Sequence, residues 1–508
     1  MNRPHAILAT VCLAALTINL DTTIVNVALP SLARELDAST RDLLWVVDGY
    51  NLAFAAFVLA MGSLSDKFGR RPALVLGLAS FALTSGVAAL VDSVEALVAL
   101  RVLMGMSAAL IFPTTLSIIS NTFPDRRERA AALGVWGAAV GMGVALGPIT
   151  GGFLLEHFSW HSVFWALVPV GLVAIAMTLA FVPESRDPGV PALDRTGLLL
   201  SVATLGVLTW TIIEAPERGW ASAATVGGFA AALVLAVVFV LVERASRHPM
   251  LDVTLFFDRR FSAACAAVTI SFFALFGFIF LITQFFQFVR DYSALQTGVR
   301  ILPVALSIAG ASILGAHLAP RIGTKVVVTI GLASLGSSFL WVSTIGVDVS
   351  YASTIVPQMV LMGLGLGLIS TPATESIMQV LPPARAGVGS AVNDASRELG
   401  GTLGVAVVGS LFSSLYGARL VEALDGRLPA DLLDRARGSV GFTDALAARA
   451  PGVADAMDAA FMDGLSLACV VIGVLCLLGS AAAWFALPGE RYDPLAEARP
   501  VAETVPTS

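Results

Sequence analysis

Fourteen long apolar segments dominate this chain, and each is long enough to cross a lipid bilayer as a helix. A helix needs about 20 mainly apolar residues to span the hydrocarbon core. The predicted spans are 6–28, 44–64, 73–91, 95–120, 131–155, 161–182, 194–214, 221–243, 261–289, 297–319, 325–345, 352–378, 386–416 and 460–487. Membrane-spanning strands would instead alternate in polarity over about ten residues. The sequence therefore predicts an all-α membrane protein with 14 transmembrane helices.

The overall composition favours a bilayer over water as the main solvent. Apolar residues make up 57% of the chain and charged residues only 13%, against about 25% charged in soluble domains. Arg3 precedes the first apolar segment as in a secretory signal, but Asn19 and Asp21 interrupt that segment and further spans follow it. We therefore expect an uncleaved first helix. The net charge of -6 is small for 508 residues, so nucleic acid is not an expected partner.

Several mechanisms are excluded by missing motifs. A phosphate-binding loop requires a lysine directly after a glycine, and the two lysines, Lys67 and Lys325, follow an aspartate and a threonine. The four cysteines form no CxxC pair, so neither a disulfide nor a metal site is expected. His157 and His161 have helical spacing, which leaves zinc only as a weak alternative. Because HExxH and GxSxG are also absent from the spans, we expect a transporter without a cofactor rather than an enzyme.

Basic residues predict the orientation of the chain in the membrane. If the N-terminus is cytoplasmic, 18 of the 30 basic residues fall on the cytoplasmic side and ten on the other. Five of those ten lie in one long loop, 417–459, and the positive-inside rule gives short loops the most weight. We therefore expect both termini in the cytoplasm, with the protein in a bacterial inner membrane.

A weak internal repeat predicts two halves. Residues 62–71 (GSLSDKFGRR) and 316–325 (AHLAPRIGTK) share a leucine, a basic residue, a glycine and a final basic residue at an offset of 254. Two bundles related by an axis along the membrane normal give such similarity. The predicted units are a first six-helix bundle at 1–183, a linker with two additional spans at 184–260, a second six-helix bundle at 261–490 with a long extracytoplasmic loop at 417–459, and a disordered tail at 491–508.

The loop between spans two and three has a specific arrangement of small and charged residues. Gly62 allows two helices to approach, and Gly69 allows a tight reversal of the chain. Asp66 can cap the following helix or pair with Arg70. A simple positive-inside anchor would need Arg70 and Arg71 but not this spacing of glycine and aspartate.

The fifth span has a smooth face of small residues. Gly143, Gly147 and Gly151 recur every fourth position, which lets membrane helices pack closely. Pro148 removes a backbone hydrogen bond and kinks the helix. Ordinary tight packing explains the glycines alone, whereas the Gly-Pro step and the terminal pair with Gly152 favour a specialised interface.

Six charged side chains fall inside predicted spans, where a charge costs about 2.5–3.5 kcal/mol and usually faces a cavity or a partner. They are Asp21, Asp48, Arg101, Asp394, Arg397 and Glu398. Asp394 and Glu398 share a helix face at i,i+4, and Arg397 can pair with Asp394 at i,i+3. These residues are the predicted site for protons and substrate.

Simpler explanations stay open for some of these groups. Asp48 could be interfacial and hydrated, and Arg397 could only neutralise Asp394 as a static pair. Asp21 and Arg101 are harder to explain in that way, because two helices of one bundle carry opposite charges at similar depth.

Taken together, these motifs resemble the major facilitator superfamily. The sequence GSLSDKFGRRP at 62–72 is similar to the family's signature between helices two and three, which acts there as a cytoplasmic latch. Residues 20–30 (LDTTIVNVALP), Arg101 and the stretch 143–152 resemble the first-, fourth- and fifth-helix signatures of fourteen-helix drug:proton antiporters. The resemblance covers essentially the whole chain and is most evident with antiseptic and quaternary-ammonium efflux pumps.

The resemblance implies two six-helix bundles plus two inserted helices, and proton-driven export of lipophilic, often cationic compounds. Burial and a nearby arginine act in opposite directions on the pKa of a carboxyl group, so conformational exchange can load and release protons. Relatives that export dications have further acids where this chain has Ile308 and Asn393, so monovalent cations are expected. A dedicated exporter of one endogenous amphiphile remains the alternative. We expect a monomer that contacts membrane lipids.

Overall fold

The computed structural model describes residues 3–186, 194–246, 249–380, 386–448 and 450–487. Over these residues the chain contains no strand, and 14 helices are long and apolar enough to cross a membrane, which confirms the predicted fold class. The predicted tail at 491–508 lies outside the described residues. The helices are α1 (Arg3–Glu35), α2 (Thr40–Phe68), α3 (Arg70–Ala88), α4 (Val94–Thr122), α5 (Arg126–His157), α6 (His161–Phe181), α7 (Arg195–Arg218), α8 (Ala223–Ala245), α9 (Arg259–Gln284), α10 (Ala294–Ile322), α11 (Thr324–Val342), α12 (Val356–Gln379), α13 (Ala386–Leu424), α14 (Ala430–Gly438), α15 (Val440–Ala447) and α16 (Pro451–Ala486).

The spanning helices pack as two six-helix bundles. In the first bundle, α2 packs on α4, α1 on α5, and α3 on both α4 and α6. In the second, α10 and α11 pack on α12, α9 packs on α13, and α16 packs on α11 and α13. A π-helical turn, Phe285–Val289, extends α9, and another, Tyr351–Ile355, leads into α12.

The two bundles have the same helix-capping and helix-ending features at the offset seen in the sequence. Ser39 caps α2 in a capping box with Asp42, and Ser293 caps α10 in a capping box with Gln296, 254 positions later. At the other ends of α2 and α10, Gly69 (φ 122°) and Gly323 (φ 91°) take conformations that favour glycine, again 254 positions apart. The weak sequence repeat therefore corresponds to a repeated helix with matching start and stop signals.

The inserted helices α7 and α8 pack at a seam between the bundles, because α7 contacts both α2 and α13. The buried Glu214 carboxylate of α7 pairs with Arg41 at the start of α2 at 2.7 Å and with Arg218 at 3.2 Å. Beyond α7, the Trp220 indole donates to the Ser414 hydroxyl of α13 at 3.0 Å. The pair therefore covers one side of the junction between the two halves.

The predicted long loop, 417–459, is partly helical, and its position outside the membrane stays a prediction. α13 continues to Leu424 and α16 begins at Pro451, so the connection is shorter and contains α14 and α15. The apolar window that marks a span ends where the bilayer ends, whereas a helix can continue into water when one face remains buried. Leu420 and Leu424 are buried on that extension.

The two bundles meet closely at the end that α14 and α15 cover, here called the cap end; the opposite end, which contains residues 62–71, is the turn end. A Cβ added to Gly152 of α5 would lie 2.5 Å from the Leu295 Cα of α10, and one added to Gly298 would lie 2.0 Å from the Pro148 carbonyl oxygen. The Gln287 amide donates to the Val27 carbonyl oxygen of α1 at 3.0 Å. Only glycine permits the first two contacts.

The short helices of the cap end belong to the second bundle but bond to the first. The Ser439 hydroxyl donates to the Ala38 carbonyl oxygen at 3.0 Å, and Arg34 at the end of α1 pairs with Asp444 of α15 at 3.1 Å. Burial raises the pKa of Asp444 above its ordinary value, against the lowering effect of Arg34. These contacts close the cap end.

The facing surfaces of α5 and α10 are open toward the turn end. A Cβ added to Gly134, Gly137 or Gly141 of α5, or to Gly310 of α10, would meet nothing within 4 Å. The same two helices that touch at the cap end therefore have glycine positions toward the turn end that no described residue contacts closely.

Candidate functional site

A buried ion pair lies at the centre of the first bundle. One terminal nitrogen of Arg101 donates to both carboxylate oxygens of Asp21, at 2.9 and 2.7 Å, and its Nε donates to the Val46 carbonyl oxygen at 3.1 Å. The guanidinium also lies over the Tyr50 ring, 4.3 Å from the ring centroid. Asp21 and Tyr50 are fully buried and Arg101 nearly so, so three helices hold one charged group away from solvent.

Asp48 is also buried, which differs from a hydrated interfacial residue. Neither of its carboxylate oxygens has a hydrogen-bond partner among the described residues. The Asn51 side chain, one turn further along α2, is buried and unpartnered in the same way. An ionised carboxylate without a partner is costly to bury. This position therefore favours a carboxyl group that either holds a proton or binds a cationic ligand.

The second bundle places three charged groups on α13. Asp394 is buried, Arg397 and Glu398 are partly buried, and the three interact electrostatically. No ion pair within the described residues joins Arg397 to Asp394; its guanidinium lies 4.5 Å from the centroid of the Phe272 ring of α9. Both carboxylates are therefore free of a tight static pair.

The helices that carry Tyr50 and Glu398, α2 and α13, pack against each other across the junction between the bundles. The Glu398 carboxylate of the second bundle lies within electrostatic range of Tyr50, whose ring supports Arg101 in the first. Within the second bundle, the Thr374 hydroxyl of α12 donates to the Asn393 side-chain oxygen at 3.1 Å. Because α2 packs against α13, a change in bundle separation would alter the surroundings of both Tyr50 and Glu398.

The turn between α2 and α3 is held within the first bundle. Asp66 pairs with Arg70 at 2.7 Å, and the backbone N–H of Arg70 donates to the Ser185 carbonyl oxygen at 2.9 Å. The Arg71 guanidinium donates to the Leu179 carbonyl oxygen at 2.6 Å. Among the described residues, no hydrogen bond or ion pair joins this turn to the second bundle, so its role as a latch stays a prediction.

Glycines of the fifth helix form two interfaces. Added Cβ atoms on Gly143, Gly147 and Gly151 would collide with α1, within 3 Å of its atoms, so these positions pack α5 inside the first bundle. Gly152 and the Pro148 carbonyl instead meet the start of α10 in the second bundle. The predicted motif therefore contains both an internal packing face and a bundle-to-bundle contact.

No metal site appears in the part of the chain that the structure describes, where no three His, Cys, Asp or Glu side chains come together. His161 contacts Asp92 at 3.2 Å, and the His157 ring bonds to the Phe153 carbonyl oxygen at 2.9 Å.

Two aromatic residues of the site were not predicted from the sequence. Tyr50 lies beneath Arg101 and Phe272 beneath Arg397, at 4.3 and 4.5 Å. A single tyrosine near charged positions in an apolar span is a usable signal, because a tyrosine in a span can pair with a buried cation. Phe272 gives no such signal among the 28 phenylalanines of the chain.

Comparison with known proteins finds one matching family and several relatives that are similar over nearly the whole chain. The sequence profile described as "Major Facilitator Superfamily" matches residues 11–405. The chain is 36% identical to "Multidrug efflux pump LfrA" of Mycolicibacterium smegmatis, covering 94% of this chain and 95% of that protein. It is 32% identical to "Tetracenomycin C resistance and export protein" of Streptomyces glaucescens (98% and 94% covered) and 33% identical to "Methyl viologen resistance protein SmvA" of Salmonella typhimurium (96% and 99% covered).

The fold is also similar to solved structures. A bacterial homologue of the human lysosomal transporter Spinster, in an inward-facing and unoccupied conformation, superposes with a TM-score of 0.66 at 16% identity, covering 96% of this chain and 97% of that one. At that identity the likeness concerns the fold alone.

Proposed function

This chain belongs to the major facilitator superfamily of transporters, and on that premise we propose that it is a proton-coupled efflux antiporter for lipophilic, often cationic compounds. The observation that supports this most directly is the arrangement of buried carboxylates in both bundles, with Asp21 held by Arg101 in one and Asp394 and Glu398 free of tight pairs in the other. The names of three long relatives refer to drug efflux, export or resistance.

Proton exchange follows from a change in pairing. Asp21 can bind a proton only when Arg101 moves away from it, because the guanidinium occupies both carboxylate oxygens. A cationic substrate near Glu398 or Asp394 competes with a proton for the same negative charge. Antiport follows when the carboxylate holds either the proton or the cationic substrate, but not both at once.

We assign the structure to a state open toward the cytoplasm. With both termini cytoplasmic, the turn end faces the cytoplasm and the cap end faces outward. The closed contacts at Gly152 and Gly298 then seal the outer side, while the open faces near Gly137 and Gly310 admit substrate from the cytoplasm or inner leaflet. In this state the Asp66–Arg70 turn has no bond to any described residue of the second bundle that would restrain opening.

The test is ethidium transport in inverted vesicles with an imposed proton gradient. Asp394→Asn and Glu398→Gln should each reduce gradient-driven transport at least about tenfold while leaving protein yield unchanged, because neither residue forms an ion pair with a described residue. Asp21→Asn should abolish transport but also lower stability, since a broken buried pair costs about 3–5 kcal/mol. Asp425→Asn, an exposed acid near the cap end, is the matched control and should have no effect.

Unchanged gradient-driven transport after neutralisation of Asp21, Asp48, Asp394 and Glu398 together would refute proton coupling through these groups. The second candidate is export of one endogenous amphiphile, which the relative named for tetracenomycin C export favours. Transport of a single compound class, with no competition among structurally unrelated cations, would identify that case.

A further inference from the structure

A groove on the outside of the second bundle has no role in the proposed transport. It lies at the turn end between the start of α9, the end of α16 and the 3-10 turn Val253–Phe257, and has a volume of about 340 Å³. Its walls are mostly small side chains, including Ala263, Ala266, Ala482 and Ala486. The small residues leave a channel between two helices that larger side chains would fill.

The groove has the depth of one membrane leaflet. It is closed at its inner end, where a Cβ added to Gly479 of α16 would lie only 2.7 Å from the Ile270 side chain of α9. From Ile270 to Arg259, eleven residues of helix rise about 16 Å. This is about half of the hydrocarbon thickness of roughly 30 Å. An acyl chain of one leaflet therefore fits along it.

The mouth of the groove is aromatic and positively charged. Phe257 is 71% exposed, and the Arg244 guanidinium lies 5.5 Å from its ring centroid. Arg259 lines the groove and is exposed. Neither arginine forms an ion pair with any described residue, whereas the adjacent Arg260 bonds to Gln379. Two cations thus stand without a carboxylate partner at the level where headgroups lie.

We propose that this groove is a binding site for an anionic phospholipid, with an acyl chain between α9 and α16 and the phosphate at Arg244 and Arg259. Arginine presents several donors in a fork that matches phosphate geometry, and basic pockets between membrane helices select anionic headgroups. A zwitterionic lipid would gain the apolar contact but little from the two unpaired cations. The site is independent of the direction of transport and of proton coupling.

The experiment measures lipid retention on the purified full-length protein by native mass spectrometry. Phosphatidylglycerol and phosphatidylcholine with identical chains are offered in equal amounts. The wild-type protein should retain phosphatidylglycerol at least about tenfold in preference. The double variant Arg244→Gln with Arg259→Gln should lose this preference, and Ala266→Phe, which fills the groove, should reduce retention of both lipids.

Two matched controls leave the groove intact. Arg427→Gln changes an exposed arginine at the cap end, and Leu306→Phe enlarges an exposed apolar side chain on α10; both should bind lipid as the wild type does. The arginine variants alter only surface groups, so they test the site even if Ala266→Phe fails to fold. A wild-type preference retained in the double variant would overturn the proposal. Binding of millimolar inorganic phosphate at Arg244 and Arg259 in the absence of lipid would also overturn it. So would lipid binding that is detected only after residues 488–508 are removed.

Discussion

Gly298 of α10 lies where the two bundles touch, and replacing it with alanine should prevent the cap end from closing. The added Cβ would lie 2.0 Å from the Pro148 carbonyl oxygen of α5, and Cβ atoms essentially never approach within 3.0 Å of another heavy atom. α5 and α10 must therefore separate by at least about 1 Å at this point. The atoms involved are backbone, so no side chain can rotate to relieve the collision.

The size of the effect follows from the cost of overpacking. Inserting a methyl group into a close-packed contact typically costs about 1–3 kcal/mol. This cost applies only to the closed cap end, because the residues separate when that end opens. Since about 1.4 kcal/mol changes an equilibrium constant tenfold, the variant should shift the population away from the closed state by about five- to 150-fold.

Spin labels on the two bundles at the cap end measure that shift directly. Glu95 at the start of α4 and Asp425 after α13 are exposed and lie in different bundles. Pulsed dipolar spectroscopy on Gly298→Ala should show a longer distance between these labels than in the labelled parent protein, together with slower ethidium efflux.

The control for this substitution is on the same helix. Gly310→Ala makes the same chemical change where an added Cβ meets nothing within 4 Å, so the distance and efflux should match the parent. If Gly298→Ala and Gly310→Ala give the same distances, the α5–α10 contact does not close the cap end and the reasoning fails.

Two further predictions concern single contacts at opposite ends. Gly69→Ala should destabilise the protein by more than about 1 kcal/mol in thermal unfolding, because φ is 122° and the new Cβ would lie 3.1 Å from the Pro72 ring. Gly426→Ala, with φ 70° and nothing within 4 Å, should cost less. Because burial raises the pKa of Asp444 while the cap is docked, the docked state binds a proton more tightly than the undocked state. Docking should therefore strengthen as the pH falls through the range in which Asp444 takes up its proton and weaken as it rises, with Arg34→Ala enlarging the pH dependence in a fluorescence assay of cap position.

Hydropathy was sufficient to predict the helices but not their ends. Each predicted span corresponds to a spanning helix, because the bilayer imposes a length of apolar sequence that a single chain reveals. α13 extends beyond its predicted end because Leu420 and Leu424 remain buried outside the apolar window. That burial depends on neighbouring helices, which the sequence of α13 does not contain.

The charged residues of the site were visible in the sequence, whereas their partners were not. The similar depth of Asp21 and Arg101 in their spans marked both as unusual, and the structure pairs them at 2.7 Å. Helical spacing allowed Arg397 to pair with Asp394, but the guanidinium lies over Phe272 of α9. Spacing along one helix defines possible pairs, and the helix packed against it determines which one forms.

The contacts between the bundles also explain how a tightly packed protein can alternate between states. At the α5–α10 contact the closed end is held by close backbone approach at glycines rather than by buried ion pairs, which cost several kcal/mol to break. The buried ion pair between Asp21 and Arg101 lies inside one bundle, so it does not hold the bundles together, and proton uptake by Asp21 in the proposed cycle requires Arg101 to move away from it. Because α2 packs against α13 across the junction, separation of the bundles changes the surroundings of Tyr50, whose ring supports Arg101. A rigid bundle on each side and an easily opened glycine contact between them are therefore what coupling between carboxylate protonation and opening requires.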